Sequence, residues 1–457
     1  MTLAADLADY ALSVRYSSLD RGTVQQLKTR IVDALGCALG AYGEPPVAMA
    51  RRAVLQKGAG EATVIGTGSR TTAELATFAN GLMVRYFDFN DTYLSKEPAH
   101  PSDNLSACLA VCEAEELPGK DLIAALAVAY EVQCRLCDAA DIRHRGWDHV
   151  NYGLVSTALA ASKLKGLDVK RTTQAVNIAL SGHIAMRQVR AGELSMWKGA
   201  SFANAARNGV FAARLASEGM TGPSPIFEGE MGFFRQVSGP FELDLQGFGG
   251  KGGKFRVNDT YIKYWPAEYH AQTAVWAALE AREKAGGAND VESVLVETHE
   301  AGYNILGRDE EKWSPATKET ADHSLPFMVG MALLRGDLDN QSYAKRNLRD
   351  QRVLKFLEKI DVRENPAFTA LYPDSGMANR VTLRLKGGRQ VSAEAVLPRG
   401  HPRNPMTRKE VESKFDRLTS ETLGHRKAKE VLGRLWDIDR QGDIRGMLSD
   451  LRAGGRG

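Results

Sequence analysis

The stretch FDFNDTYLSKEPAHPSD at 87–103 gathers Asp88, Asp91, Thr92, Glu97, His100 and Asp103 within seventeen positions. Carboxylates beside an imidazole can move protons at neutral pH, because histidine changes charge there and a neighbouring carboxylate can orient it or raise its basicity. The runs on either side, AELATFANGLMVRY and NLSACLAVCEAEE, both read as helices. The stretch is therefore expected to be a loop held between rigid elements, a usual address for catalytic side chains. Its Asp and Pro residues would equally serve a solvated turn, so the weight given to it depends on the rest of the chain.

Two further segments add to it. RHRGWDHVNYG, 143–153, reads as a second loop and supplies His149, with His144 nearby in a more charged, exposed setting. In an up-and-down helical array the loops of His100 and His149 open at the same end. RQVRAGELSMWKG then brings Arg187 and Arg190, and places Lys198 at the start of a helix rich in small residues, ASFANAARNGVFAARLASEG. A lysine at a helix N-terminus opposes the macrodipole unless an anion lies there. Arg, Lys and His at a helix start suit a polycarboxylate, and a solvated basic turn is the plainer alternative. Taken together these residues predict an acid–base site with a cationic floor and no metal-ligand motif.

The elements that must position them are mostly helices. Residues 22–42 repeat apolar side chains at three- and four-residue spacing, ATVIG at 62–66 is a short β-like piece, and helices are expected at about 103–116 and about 120–141. ALAASKLKGLD and TQAVNIALSGHIAM continue the helical texture. It changes near Phe248, where the glycine-rich GFGGKGGK is a hinge candidate. Beyond it AQTAVWAALEAREKAG is a helix, VESVLVET alternates like a strand, SLPFMVGMALLRG is a helix and VTLRLKGGRQVSAEAVL is a hairpin around Gly387-Gly388. The tail from Thr407 returns to helix. The expected fold is mainly α: a large all-helical domain over 1–260, completed by 406–457, with a smaller α+β lid domain over 261–405.

Several function classes are excluded or set aside. At 457 residues the chain is too long for one ordinary core. Lys+Arg exceeds Asp+Glu by 59 − 56 = 3, so no nucleic-acid partner is expected. No apolar run approaches the roughly 20 residues of a membrane helix. The opening MTLAADLADY resembles neither a secretory signal nor a transit peptide, and five cysteines suggest a reducing cytoplasm. GFGGKG matches a dinucleotide fingerprint without the amphipathic helix it needs, and VIGTGSR lacks the third glycine. Cys108, Cys112, Cys134 and Cys137 lie on two consecutive helices, a poor setting for structural zinc, which favours knuckle turns. A helical scaffold with structural zinc is the non-enzyme alternative.

FDFNDT…HPSDN, GWDHVNYG, RQVRAGELSMWKGASFANAARNGVFAARLA, EGMTGPSPIFEGEMGFF, YWPAEYHAQTAVWAALE and ADHSLPF occur in an order that resembles the MmgE/PrpD family over nearly the whole chain. That family includes 2-methylcitrate dehydratases, cis-aconitate decarboxylases and an iminodisuccinate epimerase. The resemblance implies a helical domain with an α+β lid, a homodimer, and catalysis without metal or organic cofactor. It carries the family's site onto Asp88, Thr92, His100, His149, Lys198 and His270, and its ADHS segment onto His323. Two departures stand out: Val150 follows His149 where proline is more common, and Phe327 replaces a tyrosine, which is expected to remove a hydroxyl from the pocket.

The shared chemistry is a proton moving at a carbon next to a carboxylate. Lys198, Arg187 and Arg190 would hold the carboxylates and offset the charge that develops. One of His100 and His149 would be base and the other acid, with Asp88 orienting a histidine, Thr92 bonding substrate, and the lid bringing His270 and His323 inward. The expected activity is a hydro-lyase of the 2-methylcitrate type on a small polycarboxylate, with decarboxylation of a cis-aconitate-like acid or epimerisation of an imino or amino diacid as alternatives.

Overall fold

The computed structural model describes residues 2–55, 60–192, 194–373 and 375–454, and it is mainly helical. The chain forms two compact units. Met1–Ala191, Met196–Tyr261 and Thr407–Gly457 make a helical unit, and Gly192–Ser195 with Ile262–Met406 make an α+β unit. Among the described residues no helix is long and apolar enough to cross a membrane.

The helical unit contains α1 (Leu3–Ser13), α2 (Arg21–Gly40), α3 (Pro45–Val54), α4 (Ala73–Arg85), α5 (Leu105–Ala114), α6 (Gly119–Ala139), α7 (Asn151–Leu164), α8 (Val169–Ser181) and α9 (Trp197–Ser217). The helix Arg408–Leu423 returns from the C-terminal segment to pack on α2. Asp20 and Asp168 start α2 and α8 by accepting the amides of Thr23 and Arg171, donors that the first turn leaves open. α5, α6 and α7 are buried nearly all round, as helices enclosed by other helices must be. Small residues let α9 approach α4 and α7 closely. A Cβ on Gly81 would stand 2.9 Å from that of Ala203, and one on Gly153 would stand 2.5 Å from the Phe202 ring.

The helical unit also carries one short hairpin, which begins in the ATVIG segment expected to be β-like. Strands β1 (Ala62–Val64) and β2 (Ser69–Thr71) pair antiparallel. Buried side chains of the adjacent helices supply the partners this short hairpin lacks. Asn80 bonds the Ile65 amide and the Thr63 carbonyl, while Glu113 accepts from the Thr63 amide and hydroxyl. The glycines of VIGTGSR close this hairpin, at φ 85° for Gly66 and 69° for Gly68. From 219 to 261 the chain runs in short turns without an α-helix.

The glycine-rich GFGGKGGK is not a hinge between the units. It lies within the helical unit, where Glu131 accepts the amides of Gly249 and Arg256 and Tyr10 donates to the Gly249 carbonyl. The units divide between Tyr261 and Ile262 and again between Met406 and Thr407.

In the α+β unit, strands β3 (Val291–Thr298), β4 (Ile360–Glu364), β5 (Asn379–Leu385) and β6 (Gln390–Ala395) form one sheet in the order β4-β3-β5-β6. β3 and β4 are parallel, and the other pairs are antiparallel. Gly387 and Gly388, at φ 85° and 84°, take the two left-handed positions of the β5–β6 turn. α10 (Gln272–Ala285) packs on β5 and β6, and the helix Leu325–Arg335 packs on α10. Val294, Val296, Val381 and Leu383 meet Ala274, Ala278 and Met331 in one apolar core. Phe327 belongs to that core, fully buried, its ring stacked on Tyr343 at 6.0 Å. Its missing hydroxyl therefore bears on core packing, contrary to the expectation of a pocket position.

Candidate active site

α4 ends at Arg85, and the chain turns through Asp88 in a left-handed conformation, φ 51°. Asp is among the few non-glycine residues that tolerate this region, since its short carboxylate can bond locally. The turn folds that carboxylate back onto its own helix end, where Arg85 Nη1 donates to Oδ1 at 2.6 Å. The other oxygen accepts from Lys198 Nζ at 3.1 Å. Lys198 is the second residue of α9 and is buried. Asp88 is thus the anion that makes a lysine tolerable at this helix start.

His100 belongs to the same loop. Its Nδ1 lies 2.8 Å from the Asp91 carbonyl oxygen and its Nε2 lies 2.8 Å from Arg85 Nη2. A carbonyl only accepts and a guanidinium only donates. The ring is therefore neutral, with its proton on Nδ1. Behind it Asp91 accepts from the Ser102 amide at 2.9 Å and from the Tyr130 hydroxyl at 2.7 Å. Asp103 takes a bond from Asn90 at 2.7 Å and faces Arg85 Nε at 3.8 Å, and burial pushes it up to about 7.

The second loop reaches the same place. Its backbone is tied to the segment ahead of α9, with Asp148 donating to Ala185 at 3.0 Å and Arg187 donating to Gly146 at 2.8 Å. Arg190 Nε then meets Asp148 Oδ1 at 2.8 Å, and the Ser201 hydroxyl meets Oδ2 at 3.1 Å. Burial would raise Asp148, but the Arg190 guanidinium, in charge and in hydrogen bonding, and Arg187 outweigh it and hold the carboxyl at about 2. His149 is buried, and its ring centroid lies 5.9 Å from that of His100. Its Nε2 faces Asp148 Oδ1 at 3.8 Å, while Nδ1 has no hydrogen-bond partner among the described residues. At 3.8 Å the Asp148 carboxylate lies beyond hydrogen-bond reach and acts on this ring through its charge. Burial first, then Arg190, lowers the imidazole to about 3, so it is neutral at pH 7.

The structure thus brings together Asp88, His100, His149, Arg190 and Lys198 from three distant segments. The expected cationic floor is interrupted, since Lys198 and Arg190 each share a carboxylate. Arg187 lies beside Arg190 and Asp148, its guanidinium lowered by burial and by Arg190. Thr92, expected to bond substrate, donates its hydroxyl to the Ala99 carbonyl at 3.1 Å and pairs its backbone with Tyr261.

His270 and His323 lie in the α+β unit. His270 Nδ1 is 2.9 Å from His299 Nε2, and the Tyr372 ring stacks on His299 at 4.8 Å. Burial, with His270, lowers His299 to about 3. His323 Nδ1 is 2.6 Å from Asp322, which also pairs with Lys318 at 2.6 Å. Cys108, Cys112, Cys134 and Cys137 are buried free thiols, all raised by burial, that fill α5 and α6 as small core residues.

Sequence reading missed Arg85, Asp148 and His299, and noted Asp103 only as an acidic member of the first stretch. Arg85 and Asp148 had a usable signal, one standing three residues before Asp88 and the other adjoining His149.

A helical unit that buries carboxylates, guanidinium groups, a lysine and two neutral imidazoles, alongside an α+β unit, defines the class of protein. The chain belongs to the MmgE/PrpD family: the family's N-terminal domain matches residues 5–246 and its C-terminal domain matches 265–438. The chain is 30% identical over 426 residues to the 2-methylcitrate dehydratase of Escherichia coli K12, covering 87% of this chain and 86% of that one. To the 2-methylcitrate dehydratase of Cupriavidus necator it is 30% identical over 438 residues, covering 87% and 85%. A fungal alkylcitrate dehydratase is 27% identical over 443 residues, covering 88% and 84%.

Proposed function

We propose that this member of the family is a lyase: a hydro-lyase of the 2-methylcitrate dehydratase type that removes water from a small di- or tricarboxylic acid. The names of its relatives support the reaction class. The observation that carries the residue assignment is the pair of neutral imidazoles, 5.9 Å apart, among Arg85, Arg190 and Lys198.

In this reading His149 is the base. Its Nδ1 takes a proton from the carbon beside a substrate carboxylate, and Arg187, Arg190 and Lys198 offset the negative charge that develops. A base near 3 is weak, but a bound polycarboxylate would neutralise the surrounding cations and raise it. Asp148 aims Arg190, and Asp88 aims Lys198 and Arg85. The departing hydroxide needs a proton, for which this unit offers Lys198 and, once protonated, His100. Thr92, whose hydroxyl also donates to the Ala99 carbonyl, is proposed as a substrate ligand of the helical unit, and His270 and His323 as substrate ligands of the α+β unit. Independence of metal and organic cofactor, a homodimer and a cytoplasmic site of action belong to the same proposal and rest on the family resemblance.

Metal-depleted protein incubated in heavy water with 2-methylcitrate, citrate, cis-aconitate and aspartate-type diacids, and followed by proton NMR, tests the reading. Loss of water from 2-methylcitrate is expected. Carbon dioxide release from cis-aconitate would make the protein a decarboxylase instead, and deuterium exchange without net product would make it an epimerase. Activity that vanishes on metal removal and returns with metal would overturn cofactor independence.

A further inference from the structure

We propose that Glu97 is the positioning residue that sets the His149 loop against the His100 loop; the catalytic part of this inference rests on the acid–base reading above. Glu97 lies in the first loop, three residues before His100, and is fully buried. Its own segment is anchored on the end of α6. Tyr93 and Ala99 pair their backbones at 2.8 and 2.9 Å, the Tyr93 and Ser95 hydroxyls donate to Asp138, and the Glu97 amide donates to the Cys137 carbonyl at 3.1 Å. From there the Glu97 side chain reaches past the end of α6, where Oε2 accepts the amides of both Ile142 and Arg143 at 2.9 Å.

Those two amides open the turn that delivers His149. The Ile142 carbonyl receives the amides of Arg145 and Trp147 at 3.1 and 3.2 Å, so the whole turn is organised around Ile142, and Glu97 holds Ile142 from the other loop. One acceptor oxygen therefore joins the loops of the two imidazoles. Without it the amides of 142 and 143 lose their side-chain acceptor and the turn is free to shift against His100. The role needs an acceptor rather than a charge. Burial raises Glu97 to about 7, and the neighbouring Asp141 carboxylate adds to that shift. Glutamine keeps the acceptor, whereas methionine keeps the volume and removes it.

The test compares Glu97→Gln and Glu97→Met in the full-length protein by two readouts. Hydrogen–deuterium exchange over residues 140–150 requires no substrate; Glu97→Met is expected to accelerate it there and nowhere else, and Glu97→Gln to leave it near wild type. In turnover, Glu97→Met is expected to lower kcat on the order of 100-fold, the scale of a misplaced catalytic group, with KM changed less than about threefold, and Glu97→Gln to recover most of kcat. In the Glu97→Met background His149→Asn should cost far less than in wild type, because the ring is already out of place. Unchanged exchange and kcat in Glu97→Met would overturn the proposal, as would equal loss in both variants with exchange raised throughout the protein. A wild-type protein that turns over none of the acids would sink the functional reading alone, since the exchange readout still judges the link.

Discussion

His149 shows how far surroundings decide what a side chain can do. Its ring is enclosed with Arg190, Arg85 and Arg187 near enough to disfavour a second positive charge, and Asp148 only partly compensates. At pH 5 to 8 the free protein should hold it neutral, so its ring proton resonances should not titrate in that window. Binding of tricarballylate, an unreactive polycarboxylate, should bring the titration into the window, because carboxylates beside Arg190 and Arg187 favour the imidazolium. NMR of histidine-labelled protein checks this. A resonance assigned by His149→Asn that titrates near 6.5 without ligand would contradict the assignment of the base. The residue types of the site were readable in the chain: His100, His149, Lys198, Arg187 and Arg190 all stand in polar loops or at a helix start. Their pairing was not. Nothing in the chain shows that Arg85 spans Asp88 and His100, since that depends on a left-handed turn at Asp88 after a helix with no glycine or proline to end it.

The helices carry these groups, and the spacing between α7 and α9 sets their geometry. His149 lies two residues ahead of α7, and Lys198 lies in the first turn of α9. Gly153 faces the buried Phe202 ring, leaving no room for a methyl group. Alanine within a helix would gain about 1 kcal/mol in propensity over glycine. Overpacking at this contact should cost about 1–3 kcal/mol and also drive the helices apart. Gly153→Ala is therefore expected to lower the urea midpoint and kcat together, and adding Phe202→Leu should restore part of both. A single variant with wild-type stability and turnover would show that the contact yields freely. The helices themselves, the strand VESVLVET and the Gly387-Gly388 hairpin followed from local periodicity and turn chemistry. The β1–β2 hairpin was only half visible, because its stability comes from Asn80 and Glu113 on other elements.

At the scale of the molecule, the C-terminal return supports the first loop from behind. Lys414, on the helix Arg408–Leu423, meets Asp33 of α2 at 2.6 Å, donates to the Phe89 carbonyl at 2.8 Å and lies 3.7 Å above the Phe89 ring. All three groups are buried. Burial raises Asp33, and Lys414 opposes that shift. Removing the cation alone would leave a buried carboxyl without its main partner, at a cost of about 3–5 kcal/mol. Lys414→Met should therefore destabilise the helical unit by that order in denaturant unfolding and reduce kcat through Phe89, the neighbour of Asp88. The double variant Lys414→Met with Asp33→Asn should recover much of the stability and little of the activity. Equal recovery of both would mean that Lys414 acts only as a stabiliser.

The sequence by itself determined the element types, the two textures of chain, the family, and which residues could carry acid–base chemistry, because each is written in local periodicity, turn residues and short motifs. Only the tertiary structure decided which of those residues meet, which are neutral, and which serve packing. Phe327 reads like a pocket residue and lies in the core; GFGGKGGK reads like a hinge and is pinned by Glu131 and Tyr10. Proton position on His100 and charge on His149 depend on partners that come together only in the fold, Arg85 with His100 and Arg190 with His149. Electrostatic energies fall with distance in space and with solvent access, and neither quantity exists until the chain has folded.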